Sequence, residues 1–286
     1  MGYPHNFKIA TRQLTKNILL ASTAFSVFNV INLGARMAVF KFSTTGAPVN
    51  SAEADASETA PASGKAVIWS PLPYSPQVLD VLKDFLGASS EADLDIAYII
   101  VPDREHNLNA SKYKEKFPHV KIIGPEKIKK VELDITFTEK EGNKLISGGS
   151  LAQLVDGDRV IVDNFEFVYL PHHFNSELVM FEKSSRAIFE ADLLMNLGVN
   201  EPLEQFSPAT GYAETYNPHA WFSYLTRYMQ PYSKVGNYIL NKVVNRTKSQ
   251  RGLEAIAAWA FDTIVVCHGN IITKDAKGAF KHALLS

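Results

Sequence analysis

The stretch IIVPDREHNL, residues 99–108, decides how this chain is read. A buried apolar run ends at Pro102 and gives way at once to Asp103, Glu105 and His106. Strand ends are where α/β folds present their chemistry. Three further segments repeat the arrangement: VYLPHHFNSELVMF (168–181) carries His173, RAIFEADLLMN (186–196) carries Asp192, and DTIVVCHGN (262–270) carries His268. Each polar group follows a run of strand-forming residues. Four separated segments thus deliver carboxylate oxygens and imidazole nitrogens in one local context, the donor set of a divalent metal site. Sequence does not separate His172 from His173; we prefer His173.

Outward from these segments, the frame is that of a globular chain: 286 residues, 46% hydrophobic and 21% charged, enough to bury a substantial core in one large domain. The net charge of −1 conceals an asymmetry. Residues 1–52 hold no acid and five bases, Lys8, Arg12, Lys16, Arg36 and Lys41, so the remainder carries 24 basic against 30 acidic residues. An acidic body without a basic, aromatic-laced patch disfavours nucleic acid as a partner. No stretch of about 18 continuous apolar residues marks a membrane span. The lone Cys267 forbids an internal disulfide and fits a reducing compartment.

Residues 1–42 read as a basic arm. Their composition is that of a mitochondrial presequence, with two competitors: a surface helix over the moderately apolar Ile18–Leu33, or an upstream extension before a start at Met37. The expected location is intracellular and cytoplasmic, with mitochondria as the alternative. Residues 43–64, STTGAPVNSAEADASETAPASG, read as a flexible linker, and the folded body spans 65–286. Within it we expect a strand at Ala66–Trp69, a helix at Pro76–Leu86 capped by Ser75, a strand at Asp95–Val101, a helix at Ser111–Phe117 and a strand at His119–Gly124, a β-α-β order that favours parallel pairing. Short strands follow at Val131–Phe137, Arg159–Asp163, Phe165–Leu170, Glu177–Glu182 and Ala187–Glu190, the last two joined as a hairpin around Lys183–Arg186. Helices at Ala220–Met229, Gly252–Phe261 and Lys274–Leu285 and a strand at Thr263–Val266 complete a mixed α/β domain. The aromatics Trp221, Phe222, Tyr224, Tyr228 and Tyr232 read as core or pocket lining. No P-loop, dinucleotide fingerprint or nucleophile elbow occurs.

The order DREH, a downstream His, EADLL and CHGN resembles the metallo-β-lactamase superfamily. More narrowly, VPDREHNLNASKYKEKFPHVKIIGPE and SELVMFEKSSRAIFEADLLMNL resemble an uncharacterised branch found in fungi and bacteria. The resemblance covers about residues 66–280 and implies an αββα sandwich, two packed β-sheets with outer helices and a metal site along one edge. On the superfamily pattern the first His falls on Val101, the second on Asp103, the acid on Glu105 and the last His on His106. One metal position then keeps only Asp103 and His173, while the other keeps Glu105, His106, Asp192 and His268. The resemblance thus implies one divalent ion, Zn²⁺, Fe or Mn²⁺, with Glu177 orienting a ligand from behind. Asp192 and His106 would act catalytically through the ion, which makes water a nucleophile by lowering its pKa from about 15.7 to about 7. The implied activity is hydrolysis of a small ester, thioester, phosphoester or lactone. The competing reading is an inactive scaffold with a binding or regulatory role toward a protein partner, for which Val101 is the motive.

Overall fold

The computed structural model describes residues 2–43 and 64–286; the polar linker expected at 43–64 lies outside them apart from its end residues. The larger sheet begins inside the expected arm. β1 (Ala10–Thr15), β2 (Ile18–Thr23) and β5 (Ala35–Lys41) run antiparallel, and between the last two a short hairpin forms from β3 (Ser26–Val27) and β4 (Ile31–Asn32). β5 pairs antiparallel with β6 (Ala66–Trp69), from which β7 (Ile96–Ile100), β8 (Lys121–Pro125) and β9 (Ile135–Phe137) continue in parallel.

Two expectations are thereby corrected: the folded body does not start near Lys65, and Ile18–Leu33 is not a helix. β2 is an interior strand buried on both faces, with Ile18, Leu20, Ala21 and Ser22 enclosed. Such a strand shows an apolar run instead of alternation, and a short apolar run does not by itself declare its period. Met37 lies within β5 opposite Ala21, so a chain beginning there would lack β1 and β2.

The smaller sheet joins β10 (Leu145–Ile146), β11 (Phe165–Leu170), β12 (Glu177–Glu182) and β13 (Ala187–Glu190) antiparallel, with β14 (Thr263–Val266) added parallel to β13. The expected hairpin at Lys183–Arg186 is present, its turn closed at Arg186 with φ +55.

Helices cover the outer faces. α1 (Pro76–Leu86) starts where Ser75 Oγ accepts the Val78 N–H at 3.3 Å and turns Val78, Leu82 and Leu86 inward; with α2 (Ala110–Lys116) it packs on the larger sheet. Two short helices, α3 (Gly148–Leu154) and α4 (Arg159–Asn164), precede β11. Arg159–Asp163 is therefore helical and not a strand. Asp158 caps it by accepting the Val160 N–H at 2.9 Å, and Val160 and Ile161 anchor it in the core, which outweighs their β-branched preference. α5 (Lys234–Val244), α6 (Arg246–Ala258) and α7 (Ala276–Leu284) cover the smaller sheet. The aromatic segment is a 3₁₀ stretch, Trp221–Tyr228, begun by a positive φ at Trp221. That side chain is 91% exposed, against the expectation of core or pocket lining.

Between the sheets lies an aromatic layer: Phe40 meets Phe165 and Phe189 edge-on at 5.2 and 4.9 Å, and Trp69 meets Phe189 at 5.8 Å. Each such buried side chain contributes roughly 1.5–3 kcal/mol. The architecture is the expected αββα sandwich. Among the described residues no helix is long and apolar enough to cross a membrane.

Candidate metal centre

The chain leaves β7, β13 and β14 at the same edge of the sandwich, and the segments beyond them build the site. Val101, just past β7, is fully buried with its N–H on the Ile123 carbonyl at 2.8 Å, so it contributes only packing. Asp103 then closes a tight turn. Its Oδ1 accepts the N–H groups of Glu105 at 2.7 Å and His106 at 2.9 Å, and its Oδ2 lies 2.8 Å from His106 Nδ1. A carboxylate only accepts, so His106 Nδ1 carries a proton and Nε2 is the nitrogen left to serve as a ligand.

His268 follows β14 with the same polarity. Its Nδ1 lies 2.8 Å from the Gly34 carbonyl, which again only accepts, leaving Nε2 as the nitrogen 3.2 Å from Asp192 Oδ1. Donor atoms of His106, Asp192 and His268 all lie within 4.8 Å of one another, and the two imidazole centroids are 5.2 Å apart. At that distance a proton or a metal ion must stand between the imidazole nitrogen and the carboxylate oxygen. Two ligands of one tetrahedral ion, each about 2.0–2.2 Å from it, stand roughly 3.3–3.6 Å apart, close to the 3.2 Å between His268 and Asp192, and the donor set is chemically suited to a metal.

The supports of Asp192 are equally specific. Asn175 Nδ2 donates to its Oδ2 at 2.6 Å, so that Oδ1 is the oxygen turned to His268. Glu177 accepts the N–H groups of Ala191 at 2.6 Å and Asp192 at 3.2 Å. Glu177 therefore holds the backbone of Asp192, a candidate ligand, and does not contact an imidazole ring through these bonds. His173 is buried with Nδ1 accepting from the Asn175 N–H and Nε2 donating to the Asp192 carbonyl at 3.3 Å, so both ring nitrogens are engaged with backbone. His172 is exposed, as the preference for His173 requires.

Charge follows the same plan. Burial would raise Asp192, but the His268 hydrogen bond and the nearby His106 and His173 hold its carboxyl well below the usual range. Burial lowers His106, yet Asp103 and the Cys267 thiol override it and leave the imidazole well above its ordinary value. Burial keeps His173 low and neutral despite Asp192 and Asp103. Burial first, and the Asp103, Glu190 and Asp192 carboxylates second, push Glu177 well above the carboxylate range.

Of the six ligand candidates, the structure brings together His106, Asp192 and His268. Asp103 orients His106, His173 braces Asp192, and Glu105 is exposed outside the cluster, because the turn closed by Asp103 carries its side chain outward. Three contributors escaped the sequence reading. Asn175 and Gln205 carry no ligand signature; Gln205 clamps the His268 backbone, donating to the Cys267 carbonyl and accepting the Gly269 N–H, each at 2.8 Å. Gly34 acts through its carbonyl, at φ +75, where a Cβ would stand 2.5 Å from the Gln205 side chain. Its only sequence signal is the glycine itself.

Replacing Asp103 with Asn tests this tautomer logic. If the new carbonyl keeps the two backbone N–H groups, its NH₂ faces Nδ1 and drives the imidazole proton to Nε2. Metal affinity should fall about 10- to 100-fold with the fold retained, read by competition with a chromophoric chelator.

No protein-family model and no curated protein matches this chain. Solved structures do, over nearly its whole length. They include a metallo-β-lactamase from Pontibacter korlensis (TM-score 0.54, 8% identity, 97% of this chain and 98% of that one) and one from Hirschia baltica (0.53, 9%, 97% of each). FIM-1 from Pseudomonas aeruginosa in its mono-zinc form also matches (0.53, 9%, 99% and 96%). The chain has the metallo-β-lactamase fold, with a His/Asp group suited to a metal ion at the sandwich edge.

Proposed function

We propose that this protein is a hydrolase working with a single divalent ion held by His106, Asp192 and His268, and acting on a small ester, thioester, phosphoester or lactone. The observation that carries the reading is the convergence of His106, Asp192 and His268, with His268 Nε2 3.2 Å from Asp192 Oδ1 and the Nδ1 protons of both histidines already committed to fixed acceptors. Three protein ligands with an open position are the pattern of catalytic and not structural zinc sites, and two imidazoles with one carboxylate also suit iron or manganese. A mono-zinc form among the structural neighbours supports one ion as workable in this fold. When bound, the ion supplies Lewis acidity that makes water a nucleophile near neutral pH.

The protein's own groups do the rest. Asn175 and Glu177 fix Asp192, Asp103 fixes His106, and Gln205 with Gly34 fixes His268, so the donors need no reorganisation. Glu105, on the wall of the adjoining chamber, offers a solvent-facing carboxylate for moving protons.

Hydrolysis of p-nitrophenyl acetate by chelator-treated full-length protein, titrated with Zn²⁺, Fe²⁺ or Mn²⁺, is expected to rise and level off at one equivalent. Metal bound without turnover of any ester, lactone or phosphoester would favour the scaffold reading, to which the buried Val101 lends support.

A further inference from the structure

Beside the three donors opens a chamber of about 480 Å³, the size of a site for a drug-sized ligand. Its apolar lining comes from two parts of the chain. Phe25, Val27 and Leu33 come from the N-terminal segment, and Met229, Leu240 and Val243 from the region of α5. At its rim Phe28 and Phe174 are each 76% exposed. Polar groups gather with the metal donors: Asn175, which holds Asp192, and Glu105 and Asn109, on the segment that carries His106. Among the residues lining the chamber there is no Lys or Arg.

We infer that the substrate is an uncharged ester, thioester or lactone with an apolar acyl or aryl body that fills this chamber while its carbonyl meets the donors. This rests on the hydrolase reading and narrows it. A phosphoester is the poorer fit, because beyond the ion itself a phosphate dianion in a largely apolar chamber calls for Arg or Lys partners, and the lining has none while it carries the carboxylates of Glu105 and Asp192. The two methionines, Met195 and Met229, give the wall an adaptable surface suited to chains of differing shape.

The test reads binding and so stands apart from activity. Full-length protein, with and without added Zn²⁺, is loaded with the neutral dye Nile red, which is displaced by butanamide, hexanamide, octanamide or hexyl phosphate. Each buried methylene should tighten binding about three- to fourfold, roughly tenfold for every two carbons, and without Zn²⁺ hexyl phosphate should bind more weakly than hexanamide. Val243→Asp, in the half-buried wall, should flatten the chain-length dependence. Phe174→Asp, at the exposed rim where folding is not at stake, should weaken octanamide several-fold. Affinity independent of chain length, unaltered affinity in both variants, or tighter binding of hexyl phosphate than of hexanamide in zinc-free protein would overturn the inference. Amide binding that follows chain length in protein lacking any hydrolytic activity would instead sink the hydrolase reading and leave the chamber's preference intact.

Discussion

Replacing His268 with Ala should weaken metal binding by more than about 100-fold, since losing a mere supporting partner of a ligand already costs 10- to 100-fold. In the proposed site His268 is one of three donors, and its Nδ1 is the group that ties the site to the Gly34 carbonyl in the N-terminal segment. Removing the ring leaves that buried carbonyl without its donor, at about 1–3 kcal/mol. It also takes away the face that Phe25 stacks on at 6.5 Å. Glu105→Ala is the informative control. Glu105 is exposed and outside the cluster, so that variant should hold metal within a few-fold of the parent. Metal lost from Glu105→Ala would show that the sequence-derived ligand set, with Glu105 in it, describes the working site better than the geometry does, and metal retained by His268→Ala would remove His268 from both sets.

The second large effect belongs to Arg36, fully buried in β5. It donates to Ser22 Oγ at 3.1 Å, to the Val266 carbonyl at the end of β14, and to Glu204 Oε2 at 3.0 Å. One side chain thereby links the larger sheet, the smaller sheet and the turn that presents Gln205 to His268. Burial pushes the guanidinium below its ordinary range, and Glu204 counters this. Arg36→Ala leaves a carbonyl and a carboxylate without their partner. Breaking a buried pair in this way costs about 3–5 kcal/mol, and the 22% exposure of Glu204 places the expectation toward the lower end. For a chain of this size that is a fall in Tm of roughly 10 °C. Arg36→Lys should recover only part of it, because one ammonium cannot reproduce the planar fork that reaches three acceptors. Chemical denaturation showing a loss under about 1 kcal/mol for Arg36→Ala would mean that the sheets do not depend on this link.

Legibility of the chain from its sequence tracked burial pattern and local chemistry. α1 was readable to the residue because Ser75 and Pro76 mark its start and its apolar positions keep helical spacing. β11, β12 and β13 were readable because turn residues bound each run. The strands of residues 10–41 were not: β2 is enclosed on both faces, and the acid-free composition of that stretch suggested processing instead of pairing. In the site, His106, Asp192 and His268 stood out because each follows an apolar strand directly. Glu105 was placed among the ligands by counting along a motif, and counting does not register the turn that Asp103 closes. Gly34, Asn175 and Gln205 act through a carbonyl or an amide from distant segments, and apart from the glycine at position 34 itself such contributions leave no mark in residue type or spacing.

The central claim is one ion on His106, Asp192 and His268, and metal content answers it most directly. Full-length protein purified without chelator, with His106→Ala, His268→Ala and Glu105→Ala alongside, would be analysed by elemental mass spectrometry. The account predicts about one equivalent of Zn, Fe or Mn in the parent and in Glu105→Ala, and a background level in both histidine variants. Two equivalents in the parent, or none after reconstitution with Zn²⁺, Fe²⁺ and Mn²⁺, would contradict it.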